Sequence, residues 1–412
     1  MPFHTHTLPN GLQIVGETNP SALCVALAFW VKTGSRDETP DVSGVSHFLE
    51  HMVFKGTERR DSLAVNRDFS RIGADNNAFT SEENTVFHAT FLPEFLPQAV
   101  DVLADILRPS LRQEDFDTEK TVILDEIVRY EVQPAWATYD NARRIHFGEH
   151  PLGNSILGTT ENIKSLTRDQ MAGYFAKRYV APNMQVVAAG NFEWPRLVEL
   201  VEKTCASWPT GMAERTNRRE TKGTGGTHIF PRPKDKVSQQ YVMMIGSAPG
   251  ADSPLRYAAA LLTTAIGDSS GSRMFWALVD PGLVDDAGIG ADECDAAGAY
   301  FTSLSCAPEN ASECYDIVRG ILDDVQKNSI TSDELEQART KIVSRQVRAG
   351  ERTPRRMLTL GHDWAYLKQC RTLDDELAAW DAVNMNSIRE VLDRYPLTEY
   401  TTTTLGPLEK LS

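Results

Sequence analysis

"TVFHATFLPEFLPQAVDVLADIL", residues 85–107, and "AYFTSLSCAPENASECYDIVRGIL", residues 299–322, follow one pattern. Each opens on an apolar run suited to a strand and passes a Pro-Glu pair, Pro93-Glu94 or Pro308-Glu309, before an amphipathic helix. Each then leads into an acidic helix start, "RQEDFDTEK" and "TSDELEQAR". Recurrence of strand, turn and helix in the same order is the mark of an internal duplication.

Working outward, "GLQIVGE" and "ALCVALAFWV" read as strands that open the first copy, and "NMQVVAAGN" as a strand that closes it. In the second copy "QQYVMMIGSAPG" reads as a strand and "SPLRYAAALLTTAIG" as a helix. Between them, residues 208–236 are dense in Gly, Pro, Thr and charge, the composition of a linker. The expected fold is α+β: two homologous α/β-sandwich units, each a mostly antiparallel sheet with helices packed on one side. The expected boundaries are 1–207, a linker over 208–236, and 237–412.

A chain of 412 residues suits two such domains, and 41% apolar with 24% charged residues is ordinary for a soluble globular protein. The net charge of −15 argues against nucleic acid or an anionic membrane surface as the main partner. No apolar stretch is long enough to span a bilayer. The opening residues carry neither a secretory signal nor an Arg-rich leader, so a cytoplasmic setting is expected, or an organellar matrix had a leader been removed. The six cysteines are scattered without a CxxC pair and read as reduced thiols.

The copies differ in one respect. Only the first contains "VSHFLEHMVF", residues 45–54. The apolar spacing predicts a helix from Ser43 to Lys55 with Ser43 as N-cap. On it His47 and His51, one turn apart, can aim at one ion, and Glu50 can hold a water beside it. The plainer reading is an amphipathic helix that happens to carry two histidines. In "DTEKTVILDEIVRYE", Glu119 and Glu126 share a helix face, with Val122 and Ile123 anchoring that helix to the core. Either glutamate could ligate while the other supports from outside, or both could be solvated. His4, His6, His88, His146, His150, His228 and His362 show no comparable grouping.

"SGVSHFLEHMVFKGT" closely resembles the inverted zinc motif of the pitrilysin/insulinase peptidases, the inverzincins, in their mitochondrial-processing-peptidase-like two-domain branch. "IGADNNAFTSEENTVF" and "EKTVILDEI" resemble that family's next two blocks, with weaker echoes in "GSRMFWAL" and "APEN". The resemblance implies a zinc metallopeptidase holding one Zn2+ per chain on His47, His51 and Glu126. It makes Glu50 the general base and Glu119 an auxiliary acidic residue. It also lays an extended peptide substrate along Asn77, Ala78 and Phe79; the plainer reading of "NNAFT" is a turn entering a strand.

One departure stands out. Many active relatives carry an arginine and a tyrosine seven residues apart in the C-terminal half. Here the matching stretch is "ALVDPGLVDDAG", residues 277–288, with neither residue and with Asp285 or Asp286 where the tyrosine belongs. The resemblance then implies the zinc-bearing subunit of a heterodimer whose homologous partner supplies that pair, with a homodimer as the alternative. Two rival readings are a non-catalytic core or assembly subunit, and a peptide-binding chamber.

Overall fold

In the computed structural model, which describes residues 2–213, 215 and 222–411, the strand-like runs form two sheets. The first contains β1 (Phe3–Thr7), β2 (Gln13–Thr18), β3 (Val25–Val31), β4 (Asp75–Thr80), β5 (Thr85–Phe91) and β6 (Met184–Gly190), in the order β1-β2-β6-β3-β5-β4. Only the β2–β6 pair is parallel. The second contains β7 (Thr227–Pro231), β8 (Gln240–Ala248), β9 (Asp286–Cys294), β10 (Ala297–Cys306) and β11 (Tyr400–Gly406), in the order β7-β11-β8-β10-β9, with only β7–β11 parallel. β4 and β9 are therefore edge strands at equivalent places.

The helices of the first half are α1 (Val45–Val53), α2 (Ser62–Arg71), α3 (Leu96–Ile106), α4 (Gln113–Glu131), α5 (Pro134–Phe147), α6 (Thr160–Ser165), α7 (Arg168–Arg178) and α8 (Trp194–Cys205). Those of the second are α9 (Arg256–Gly267), α10 (Ala311–Asn328), α11 (Ser332–Gly350), α12 (Thr353–Leu367), α13 (Leu373–Asp381) and α14 (Met385–Arg394). Most of each half's helices cover one face of its sheet.

The opposite faces explain why β3 is apolar throughout. All seven of its residues are buried. Because side chains alternate across a sheet, Val25, Leu27, Phe29 and Val31 enter the main core while Ala26, Ala28 and Trp30 face the other way. There they meet Met357, Leu360 and Ala365 of α12. Gly361 permits the close approach: a Cβ at that position would lie 2.5 Å from the Trp30 ring. In the second sheet, Ile245, Ala297 and Ala299 likewise pack on Ala142, Phe147 and Leu152, from α5 and the turn after it.

The compact units consequently exchange segments. One comprises residues 1–127, 154–216 and 347–372; the other comprises 128–153, 217–346 and 373–412. These units cut across the expected boundaries 1–207 and 237–412, because the helix that covers each sheet's open face comes from the other half of the chain. The stretch 208–236 is also more than a linker. Trp208 is buried in the first core, Arg215 bonds Asp37 and Glu83, and β7 belongs to the second sheet. Residues 214 and 216–221 of that stretch lie outside the described residues.

Candidate metal centre

Helix α1 forms because Val45, Phe48, Leu49, Met52 and Val53 recur at helical spacing and all are buried, with Phe48 stacked on Phe116 of α4 at 4.8 Å. That burial turns His47, Glu50 and His51 away from the core. The expected Ser43 cap is not made. The N-cap position falls on Gly44, at φ +88°, which has no side chain to offer. Instead Glu38, from the preceding turn, accepts from the amides of Gly44 at 2.7 Å and Ser46 at 2.8 Å. Burial pushes its carboxyl up to about 8, against the pull of those amides and the Ser46 hydroxyl.

On α4 the core anchors are Phe116, Ile123 and Ile127. Val122, expected to join them, is instead 40% exposed. Glu119 and Glu126 both face α1. His47 Nε2 lies 3.9 Å and His51 Nε2 3.6 Å from Glu126 Oε2, and the three ligand atoms lie within 4.8 Å of one another. These distances exceed hydrogen bonds, so the donors converge without satisfying each other. Zinc bonds of about 2.0–2.2 Å at tetrahedral angles would need only a small contraction of this set. Two imidazoles and a carboxylate are the donor types such an ion takes, with a position left open.

The surrounding charges suit that arrangement. Burial, reinforced by nearby His51, pushes His47 down to about 3, so its ring is neutral with a free lone pair. For His51 burial pulls the pKa down, but the Glu119 hydrogen bond and the charges of Glu119, Glu126 and Glu50 outweigh it and leave it raised. His51 Nδ1 donates to Glu119 Oε1 at 2.8 Å, because a carboxylate only accepts; that frees Nε2 to face Glu126. The Lys55 ammonium sits against the other Glu119 oxygen. Burial raises the Glu119 pKa, yet His51 and Lys55 more than offset it, and the carboxyl stays below its usual range. Glu50 is raised, chiefly by burial, although Thr80 and His51 oppose the rise.

β4 flanks this cluster. Asn77 and Phe79 are exposed and Ala78 half-buried on a strand that, among the described residues, pairs only with β5, so its outer backbone edge is open there. At its end the Thr80 hydroxyl donates to Glu50 Oε2 at 2.7 Å. Thr80, Lys55 and Glu38 were not among the residues singled out in the sequence. Lys55 could have been found, since it stands one helical turn beyond His51. Thr80 and Glu38 gave no periodic signal. The 277–288 stretch runs from a π-helical turn, Phe275–Val279, into the start of β9.

Comparison with known proteins gives the family. Residues 13–160 match the model described as insulinase (peptidase family M16), and residues 165–342 match the peptidase M16 inactive domain. An uncharacterized zinc protease of Streptomyces coelicolor is 32% identical, over 98% of this chain and 89% of its own length. A probable mitochondrial-processing peptidase subunit beta of Arabidopsis thaliana is 41% identical over 198 residues, 48% of this chain and 37% of that protein. The crystal structure of a protease from Helicobacter pylori shares the fold, with a TM-score of 0.91 at 20% identity over 98% of this chain and 99% of that one. With zinc-protease relatives along its whole length and both family models matched in order, the chain belongs to the insulinase, or M16, peptidase family.

Proposed function

We propose that this chain is a zinc metalloendopeptidase acting on extended or unfolded peptides, with His47, His51 and Glu126 as ligands and Glu50 as the base. The observation that carries the reading is the convergence of the three donors beside the half-buried Glu50 carboxyl and a strand edge left open among the described residues. When bound, zinc supplies polarisation of the scissile carbonyl and acidification of the attacking water.

The rest is the work of this chain's side chains and backbone. A peptide adds as a strand along Asn77, Ala78 and Phe79, taking up the unpaired backbone groups of β4. Glu50, its pKa raised by burial, takes the water's proton and hands it to the leaving amine. Thr80 holds one Glu50 oxygen and so directs the other. Glu119 orients His51, and Lys55 keeps Glu119 ionised.

The chain acts as the zinc-bearing subunit of a dimeric chamber, and a homologous partner carries the arginine and tyrosine absent from residues 277–288. The name of the Arabidopsis relative, a subunit, supports this. A homodimer is the alternative. The six free cysteines fit a cytoplasmic setting. Among the described residues no helix is long and apolar enough to cross a membrane.

The test is metal analysis of the purified chain, then cleavage of an unstructured peptide library by wild type and Glu50→Gln. Turnover by Glu50→Gln at the wild-type rate removes Glu50 as base. Full activity without any partner sinks the heterodimer. The missing arginine and tyrosine also favour a second reading, a peptide-binding or assembly subunit, and a zinc-loaded chain that binds peptides but cleaves none, with or without a partner, would establish it.

A further inference from the structure

The two histidines of α1 are held differently. Glu119 fixes the His51 ring through Nδ1, whereas the buried His47 Nδ1 has no hydrogen-bond partner among the described residues. A ligating imidazole normally has its second nitrogen tied down, which sets the direction of the lone pair on the first. For His47 that control has to reach the ring through its backbone.

Ser46, the residue before it, is gripped twice. Its amide donates to Glu38 Oε1 at 2.8 Å, and its hydroxyl lies 2.8 Å from the Tyr174 hydroxyl. Glu38 Oε2 accepts from the Gly44 amide at 2.7 Å. The Tyr174 oxygen also meets Thr33 Oγ1 at 2.7 Å, and Thr33 Oγ1 accepts from Arg178 Nε at 3.0 Å. Glu38, Ser46 and Tyr174 are 5%, 0% and 8% exposed, so water does not substitute for any of these bonds. The opening amides of a helix have no intrahelical partner and carry its positive end. A glycine at the N-cap leaves that end to an outside group, and the two carboxyl oxygens of Glu38 accept its amides.

We propose that Glu38, assisted by Tyr174, is a positioning residue for His47: it fixes the first turn of α1 and so aims His47 Nε2 at Glu126. The proposal rests on the metal reading above and adds a residue to which that reading gives no part. Glu38→Gln keeps the volume but turns one acceptor into a donor facing a backbone N–H.

The full chain, stripped with chelator, is titrated with cobalt(II), read by its visible absorption, and with zinc against a chromophoric chelator. Glu38→Gln is expected to lose roughly ten- to hundredfold in metal affinity, the usual cost of removing an outer support, and to change the cobalt band intensities. In a His47→Ala background the same substitution should change affinity by less than about twofold, because the ligand it aims is gone. Equal losses in both backgrounds reveal a general folding defect and overturn the proposal; so does an unchanged affinity and spectrum in Glu38→Gln. Should Glu38→Gln fail to fold, Tyr174→Phe decides instead: a loss on the order of a few-fold with an altered spectrum supports the proposal, and wild-type behaviour overturns it. A wild-type chain that takes up neither metal fails the metal reading itself, which keeps the two failures apart.

Discussion

In the first copy, α1 follows the central strand β3 and meets α4; in the second, α9 follows β8, and α11 stands where α4 does. Helices α4 and α11 are both 19 residues long. Counted from their first residues, Glu119 and Glu126 correspond to Ala338 and Arg345. Arg345 does not face histidines. It bonds both oxygens of Asp268, just past the end of α9, at 2.7 and 2.8 Å, and Lys341 lies 3.1 Å from the same carboxylate. Burial raises the Asp268 pKa, but those two cations outweigh it and leave it lowered. One backbone plan thus supports two outcomes. In the second copy the helix junction is closed by opposite charges. In the first copy it is left with imidazoles and a carboxylate that stand beyond hydrogen-bond distance of one another, an arrangement an added ion would fill.

The largest test of this contrast is chemical. Glu50→Gln leaves all three donors in place and is expected to lower kcat/KM by at least about a hundredfold, with zinc content unchanged. Next comes the metal. Free zinc at about one hundred times its Kd adds about 2.7 kcal/mol to stability, so a chelator should lower Tm in wild type and leave it unmoved in Glu126→Gln. A chelator effect of equal size in that variant would place the ion elsewhere.

The second compact unit offers a pH test. His146 is 1% exposed, and burial, aided by Arg143, lowers it from 6.5 to about 4. The unfolded chain therefore takes up this proton first. Its contribution to stability is intact above pH 6.5 and is lost as pH falls toward about 4, at no more than about 1.4 kcal/mol per pH unit. His146→Gln should flatten the Tm profile within that window; an unchanged slope assigns the acid sensitivity to other groups. The smallest effect is at the closed junction. The Arg345 side chain is 48% exposed, so solvent screens the pair, and Arg345→Ala should cost about 0.5–1 kcal/mol without altering zinc uptake. Loss of the metal in that variant would break the separation between the two junctions.

Much of this was legible beforehand, for reasons specific to certain residues. The paired strand–Pro-Glu–helix runs became β5 with α3 and β10 with α10, because hydrophobic period is read locally. His47, His51 and Glu126 were legible through helix spacing and family resemblance. The exchange of α5 and α12 was not, since an amphipathic helix declares that it has an apolar face but not which sheet will receive it. Val122 misled because an apolar residue beside a buried one need not share its direction. Glu38 and Thr80 were silent: each acts through one hydrogen bond or two whose partners become neighbours only in the folded chain.

The exchanged helices also set a timetable for the ribosome. The sheet of the first unit is complete in sequence by Gly190, yet the face of β3 occupied by Trp30 stays bare until α12 emerges, ending at Leu367. At about 5–20 residues per second, the intervening chain takes on the order of ten to thirty seconds to make. During that interval a nascent sheet leaves an apolar face uncovered. The slow pairing of distant segments is thus written into the order of synthesis.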